Sequence, residues 1–189
     1  MRASRSAREN ALTALFEDRS AGFERVVRSI LGPGGDAAAV VQDAFVKALT
    51  AVRDGRAPDE LEGWAFVLTM NLAKDHRRSE RRRPRVASLH ELGGEMGITT
   101  QGDRPTDRLS RDEAIAAARR AIHELGDAER DVFLLRVTGD LTFEEAARAL
   151  DIPIGTAKTR MRSALQRLRG QLAAFAPETH GARSPGGAR

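Results

Sequence analysis

Residues 141–169, LTFEEAARALDIPIGTAKTRMRSALQRLR, constrain the fold of this chain more than any other stretch. Thr142 and Glu145 stand at the spacing of a capping box, so we expect a helix to begin there. The sequence 151–153 ends that helix, because proline disfavours helical geometry in the residue before it. A second helix follows after a few residues, with Thr156 as its expected N-cap. Two helices joined by so short a turn predict a helix-turn-helix.

The second helix of this motif contains cations but no carboxylate. Its apolar residues recur at the helical period and predict a buried stripe formed by Ala157, Met161, Ala164, Leu165, Leu168 and Leu172. In a helix-turn-helix, the N-terminal part of the second helix lies in the major groove, and the candidates for base contact here are Lys158, Thr159, Arg162 and Ser163. Arg167 and Arg169 follow, where they meet phosphate or water. The alternative is a helix whose arginines merely solvate its outer face, but such faces ordinarily mix both signs of charge.

Composition excludes several classes of protein. The 189 residues are 41% hydrophobic and 31% charged, which suits one ordinary domain or two small ones. There is no apolar run of the roughly 18 residues that a spanning helix needs, and the N-terminus lacks the apolar core of a signal peptide. We therefore expect a cytoplasmic protein without membrane insertion. The chain has no cysteine, and its four histidines show no ligand spacing, so no metal or cofactor is predicted.

Positive charge is concentrated in two places. The formal net charge is only +4, but residues 77–85, RRSERRRPR, hold six arginines and one glutamate. Together with the cationic helix at 158–169, this segment gives two separated basic centres. Two such centres predict two contacts with one nucleic acid, each adding to a salt-dependent affinity.

The N-terminal part of the chain shows only helical periodicity. Apolar residues in 23–30 step by three and four, and the glycines and proline of 32–35 then interrupt the pattern. Asp36 is the expected N-cap of the next helix, which runs to about residue 53. A third helix begins near Glu62 and continues into the arginine run. We predict a domain of three or four helices at 8–83.

The rest of the chain contains a connector, a second domain and a tail. Glycine and proline predict a flexible linker at 84–108, and helical patterns return at 109–174, where Asp127 is the expected N-cap of the helix before the helix-turn-helix. The Gly/Pro/Arg-rich residues 175–189 predict a disordered tail. The fold class is therefore all-α, with two small helical domains joined by a flexible linker.

The order of these motifs resembles the extracytoplasmic-function (ECF) group of bacterial RNA polymerase sigma factors. The segment beginning LGDAERDVFLLRV and ending in the helix-turn-helix resembles region 4 of that group. In the N-terminal half, VVQDAFVKAL resembles region 2.2, and GWAFVLTMNLAKDHRRSERRR resembles regions 2.3 and 2.4. Region 4 alone is shared with other helix-turn-helix regulators, and the region 2 match makes the resemblance specific.

The resemblance implies three sets of site residues. The first set would form the contact with the clamp helices of the largest polymerase subunit, or support that contact from beneath. It consists of Asp36, Val40, Gln42, Asp43 and Phe45. The minus-10 element would be opened and its non-template strand held by Asn71, Lys74, Arg77, Arg78 and Trp64. The minus-35 element would be bound as duplex through Lys158, Thr159, Arg162 and Ser163, with Thr156 and Arg160 near the backbone. For Trp64, its helical spacing favours a core position over base stacking.

The resemblance also implies partners and a mode of control. Region 4 would meet the polymerase flap, and a separate anti-sigma protein would restrain the chain. One departure from the group is the sequence Ala37-Ala38-Ala39, where relatives usually have further carboxylates.

Two other functions compete with initiation by a dissociable sigma subunit. One is a stand-alone helix-turn-helix regulator that dimerises through its first half. The other is a sigma-like decoy that sequesters an anti-sigma protein, for which the missing acids at 37–39 are the best support. An enzyme is disfavoured, because the sequence contains no phosphate-binding Gly loop, no nucleophile elbow and no His/Cys site.

Overall fold

The computed structural model describes residues 2–32, 34–82 and 105–175. Within these ranges the regular structure is eight α-helices and one 3-10 turn, without a strand, which confirms the all-α prediction. The helices are α1 (Arg2–Asp18), α2 (Ser20–Leu31), α3 (Ala37–Arg53), α4 (Leu61–Arg82), α5 (Pro105–Glu124), α6 (Asp127–Val137), α7 (Phe143–Ala149) and α8 (Ile154–Gln171), followed by the turn Ala173–Phe175. None of the helices described is long and apolar enough to cross a membrane.

A group of phenylalanines holds the first bundle, α1 to α4, together. Phe23 of α2 stacks on Phe16 of α1 and on Phe66 of α4, with ring centroids 4.4 and 4.2 Å apart. Phe45 of α3 meets the Phe16 ring edge-on at 5.3 Å. Such pairs stabilise beyond the area that they bury. All four helices of the bundle are thus joined through contacting rings.

A buried arginine organises the second bundle, α5 to α8. Arg130 of α6 is only 4% exposed, and its guanidinium donates to the carbonyls of Ile122, His123 and Leu125 at the end of α5. It also pairs with Asp127 at 3.0 Å. The last carbonyls of a helix lack their usual partners within the helix, and Arg130 supplies hydrogen bonds to carbonyls where α5 ends.

The two bundles pack against each other, which the sequence did not predict. Helix α4 contacts α6 and α7, while α2 contacts α5. The approach is closest at Gly63 of α4, where a Cβ atom would lie 2.8 Å from the Cβ of Ala149 in α7. A single buried apolar cluster includes residues of both bundles. Glycine is required at position 63 because any larger residue would push the bundles apart.

Two of the four predicted helix caps are confirmed. The Asp36 carboxylate accepts the Ala39 N–H at 3.0 Å at the start of α3. Thr142 and Glu145 form both hydrogen bonds of the capping box, at 3.2 and 2.7 Å, at the start of α7.

The predictions for Asp127 and Thr156 as N-caps are wrong. Gly126 is the N-cap of α6, and Asp127 is its first helical residue, engaged with Arg130. Helix α8 begins at Ile154, because the extended backbone of Pro153 directs its carbonyl to the N–H groups of Thr156 and Ala157, at 2.9 and 3.1 Å. Thr156 therefore lies inside the first turn.

The expected linker and tail fall mostly outside the described residues. Helix α5 begins at Pro105, within the predicted linker 84–108 and four residues before the helix start expected at Leu109. Proline suits a first helical position, since its missing N–H would have no partner there. Residue 175 of the predicted tail closes the 3-10 turn, and the rest of the tail, like 84–104, lies outside the described ranges.

We predict that the capping box makes the stability of the second bundle sensitive to acid. The hydrogen bond from the Thr142 backbone N–H lowers the pKa of Glu145 below its ordinary value. The stabilisation by Glu145 is therefore present above its unfolded-state pKa and is lost as pH falls through the lowered folded-state pKa. Thr142→Ala should cost about 1 kcal/mol near neutral pH, measured by urea unfolding.

Glu145→Gln should have a lower free energy of unfolding than the wild type near neutral pH. The difference between the two should become smaller towards acid pH. Glu144→Gln, on the exposed side of the same turn, is the charge-matched control and should change stability little. An equal loss for both variants, or a loss for Glu145→Gln that does not depend on pH, would contradict the assignment.

Candidate nucleic-acid interface

Helix α8 divides sharply into a buried and an exposed side. Ala157, Ala164 and Leu168 are buried, and Met161, Leu165 and Leu172 pack against the apolar clusters, which confirms the predicted stripe. The side chains available to a ligand lie on the opposite side. Of the predicted DNA-binding residues, Lys158, Thr159 and Arg162 are exposed, whereas Thr156, Arg160 and Ser163 are half-buried.

The turn between α7 and α8 fixes the angle of this helix. Asp151 has φ of +52°, a left-handed conformation that aspartate tolerates better than most residues. The next N–H, from Ile152, donates back to the carbonyl of Ala147 at 3.0 Å. Small side chains then allow close packing, since Ala147 and Ala157 are buried together against Val132 of α6. The orientation of α8 is thus fixed by the local geometry of the turn and by small residues.

Two cations share the ring of Phe143 at the start of α7. The Arg136 guanidinium carbon lies 4.5 Å from the ring centroid, and the Lys158 ammonium lies 6.0 Å from it. A cation within about 6 Å of an aromatic face is attracted by the ring quadrupole. The ring therefore helps to orient Lys158 near the start of α8. The Thr159 hydroxyl is oriented too, because it donates to the carbonyl of Gly155 at 2.9 Å.

The second candidate group lies along α4, in the first bundle. Asn71 and Arg78 are exposed, and Arg78 lies 3.6 Å from Asp75. Arg77 is half-buried, with its guanidinium 3.4 Å from the carbonyl of Ile30. Lys74 differs from these three, because it is held by a residue of the second bundle.

Lys74 forms an ion pair across the bundle interface. Its ammonium lies 2.7 Å from the Asp131 carboxylate of α6, and the exposed fractions of the two side chains are 15% and 17%. Burial raises the pKa of Asp131, while the hydrogen bond and the charge of Lys74 partly offset this. A carboxylate here depends on its cation, since a buried charge without a partner is costly. No sequence pattern pointed to Asp131.

Trp64 lies at the boundary of core and surface. Its side chain is half-buried and packs against the apolar cluster. It also lines a cleft of about 660 Å³ between the bundles, together with residues 58–63 of the first bundle and residues of α7. The core contact agrees with the favoured interpretation of Trp64, and its open edge leaves it accessible from the cleft.

The residues predicted to meet the polymerase fall into two groups on α3. Asp36, Gln42 and Asp43 are exposed. Val40 is buried and Phe45 packs on Phe16, so these two support the surface from beneath.

Comparison with known protein families matches both halves of the chain in the order found here. Residues 15–83 match the model for Sigma-70 region 2, and residues 121–170 match the model for Sigma-70, region 4. The first match spans the end of α1 and all of α2, α3 and α4, and the second runs from the end of α5 into α8.

Individual relatives agree with this assignment. The chain is 29% identical to the ECF RNA polymerase sigma-E factor of Escherichia coli over 133 residues, which are 68% of this chain and 70% of the relative. It is 28% identical to the RNA polymerase sigma-H factor of Pseudomonas aeruginosa over 129 residues, 65% of each chain.

Two solved structures share the fold. CnrH, in complex with the cytosolic domain of CnrY, matches with a TM-score of 0.61 and 22% identity over 90% of this chain and 92% of the other. The sigma factor RpoE of Bartonella quintana, in complex with the anti-sigma factor NepR, matches with a TM-score of 0.60 and 18% identity over 88% and 97%. With sigma-70 regions 2 and 4 matched in sequence and ECF proteins among its relatives, the chain belongs to the sigma-70 family as an RNA polymerase sigma factor of the ECF type.

Proposed function

We propose that this sigma factor directs core RNA polymerase to a promoter of two elements and helps to melt it. Region 4 binds the minus-35 element as duplex, and α4 of region 2 captures the opened minus-10 strand. The observation that carries the proposal is the exposed cationic side of α8, where Lys158 and Arg162 stand opposite the apolar stripe that packs on the core. A helix held in this way can enter a major groove without losing its support.

The minus-10 contact is proposed for the exposed part of α4. Opening a duplex requires unstacked bases to be captured by hydrogen-bonding groups, while cations hold the displaced strand. The exposed amide of Asn71 would bind a flipped base, and Arg78 would hold phosphate, with Arg77 and Lys74 beside it. Trp64 would contribute stacking from the edge of the cleft.

The polymerase contact is proposed for the exposed side of α3. Asp36, Gln42 and Asp43 would meet the clamp helices of the largest subunit, supported by Val40 and Phe45, while region 4 would meet the flap. Sigma factors are non-enzymatic initiation subunits, so the polymerase would perform all the chemistry. Such a subunit acts where polymerase and chromosome are, in the cytoplasm.

An anti-sigma protein is proposed as a third partner. In the two similar structures, RpoE is bound by the anti-sigma factor NepR, and CnrH is bound by the cytosolic domain of CnrY. Their similarity to this chain supports a comparable mode of restraint.

Run-off transcription with purified core polymerase tests the proposal against the two alternatives. The template is a fragment carrying the protein's own upstream promoter. We expect a promoter-specific transcript that core polymerase alone does not make. A footprint of the isolated protein on duplex DNA without such a transcript would support the stand-alone regulator. The absence of both the transcript and the footprint would support the decoy.

Asn71→Ala should spare polymerase binding but reduce open-complex formation, because the variant lacks the amide that captures the flipped base. Permanganate reactivity of the minus-10 thymines measures opening, and co-elution with core polymerase measures binding. Ser79→Ala, at an exposed position of the same helix, is the control and should melt the promoter normally. Normal melting by Asn71→Ala would remove the assignment.

Lys158→Ala combined with Arg162→Ala should weaken discrimination for the minus-35 element. Each good base contact is worth roughly 1 to 3 kcal/mol, so we expect the preference for the correct element over a scrambled one to fall at least about fivefold. Competition between the two duplexes for the holoenzyme measures it. Arg169→Ala, exposed near the other end of the helix, should weaken binding to both duplexes alike. An unchanged preference in the double variant would mean that its two cations contact only the backbone.

A further inference from the structure

We propose that Asp131 of region 4 holds Lys74 of region 2 in an autoinhibitory contact, so that the free chain must open before region 2 can bind single-stranded DNA. The inference rests on the proposed function, because it assigns a regulatory state to the same minus-10 site. Its basis is the ion pair between the two regions, which occupies a cation proposed to bind DNA.

The pair is built unlike the other charged contacts across the interface. Its ammonium and carboxylate are 2.7 Å apart and largely buried, whereas Arg148 and Glu60, which also join the two regions, are both exposed. Exposed pairs contribute little, but removing one member of a buried pair is strongly destabilising because the other charge loses its partner. Lys74 and Asp131 are therefore the pair on which closure depends electrostatically.

Other contacts join the two regions elsewhere along the interface. Gly63 of α4 admits Ala149 of α7, and the Arg19 guanidinium donates to the carbonyl of Gly139 from the other region. The interface thus combines apolar contact, hydrogen bonding and one buried ion pair. Each is lost when the two regions separate.

The closed form cannot bind both promoter elements. Sites at minus-10 and minus-35 lie about 25 base pairs apart, or about 85 Å along duplex DNA at roughly 3.4 Å per pair. In the closed chain, Lys74 contacts α6, and Val132 of α6 packs against Ala157 of the recognition helix. Neighbouring helices pack about 8 to 10 Å apart, which leaves Lys74 about 20 Å from α8. Binding to the promoter therefore requires the ion pair to break.

Closure affects the proposed contacts unequally. The cationic side of α8 and the exposed side of α3 remain accessible in the closed chain. Lys74 is occupied, and Trp64 faces the cleft between the regions. The chain can thus meet duplex DNA or polymerase while its strand-capturing site is incomplete.

A distance measurement on the full chain tests the closure. The protein has no cysteine, so Ala38→Cys in region 2 and Gly170→Cys in region 4, both exposed, can carry a donor and an acceptor dye. We expect efficient energy transfer in the otherwise unchanged chain and a clear loss in Asp131→Asn. Glu144→Gln removes a negative charge from an exposed position of region 4 without touching the ion pair, and it should keep the transfer efficient.

A binding measurement on the same variants tests the inhibition. The probe is a single-stranded oligonucleotide with the non-template sequence of the minus-10 element. That element is located from the start site of the run-off transcript. If the open form is about a tenth of the wild-type population, Asp131→Asn should bind the probe up to about tenfold more tightly, because apparent affinity scales with the competent fraction. Glu144→Gln should bind it as the wild type does.

A second variant covers the case in which Asp131→Asn unfolds, which circular dichroism would reveal. Ala149→Gln places a larger side chain against Gly63 and leaves both members of the ion pair in place, and it should also lower energy transfer and tighten probe binding. Unchanged energy transfer in the folded variants would overturn the closure, and opening without tighter probe binding would overturn the inhibition.

Transcription by the wild-type chain separates this inference from the proposed function. A holoenzyme that binds both promoter elements must hold the two regions apart, so Asp131→Asn should support as much transcript as the wild type. If neither chain yields a transcript, the proposed function fails, while the energy-transfer result still decides whether Asp131 closes the chain.

Discussion

The buried apolar cluster that runs through both bundles determines where the charged groups of this protein lie. It joins the phenylalanine stack of region 2 to Leu134, Leu135 and Leu141 of region 4. Within the described residues, Arg130 is the only charged residue that is buried. Three backbone carbonyls and the Asp127 carboxylate accept its hydrogen bonds and so compensate for its burial. Lys74 and Asp131 are half-buried and rely on each other. Arg78, Lys158 and Arg162 are exposed at the surface, where a polyanion can meet them.

The two proposed DNA-binding surfaces are supported in different ways. The recognition helix rests on a small module, because the capping box, the left-handed Asp151 and the alanines of α7 and α8 fix its orientation locally. Helix α4 instead extends from the core of region 2, with Phe66 buried at one end and arginines at the other. The first surface is complete within region 4. The second depends on the relative position of the two regions, because Lys74 belongs to one and its partner to the other.

Local interactions made much of this structure predictable. The capping box and the Asp36 cap were foreseen because both groups of each hydrogen bond lie within four residues, and the buried stripe of α8 was foreseen because helical periodicity is a local property. The cap predictions failed at Asp127 and Thr156, because the N-caps of both helices lie before these residues. Arg130 engaged the aspartate, and the extended backbone of Pro153 began the helix two residues before the threonine.

The sequence by itself determined the all-α class, the family through the order of two motifs, and the side of α8 that faces outward. Only the tertiary structure decided that the bundles pack through Gly63 and Ala149, and that Lys74 is paired rather than free. The physical reason is separation along the chain. A helical face follows from residues three or four positions apart, whereas Lys74 meets Asp131 across 57 positions, and no periodicity relates them.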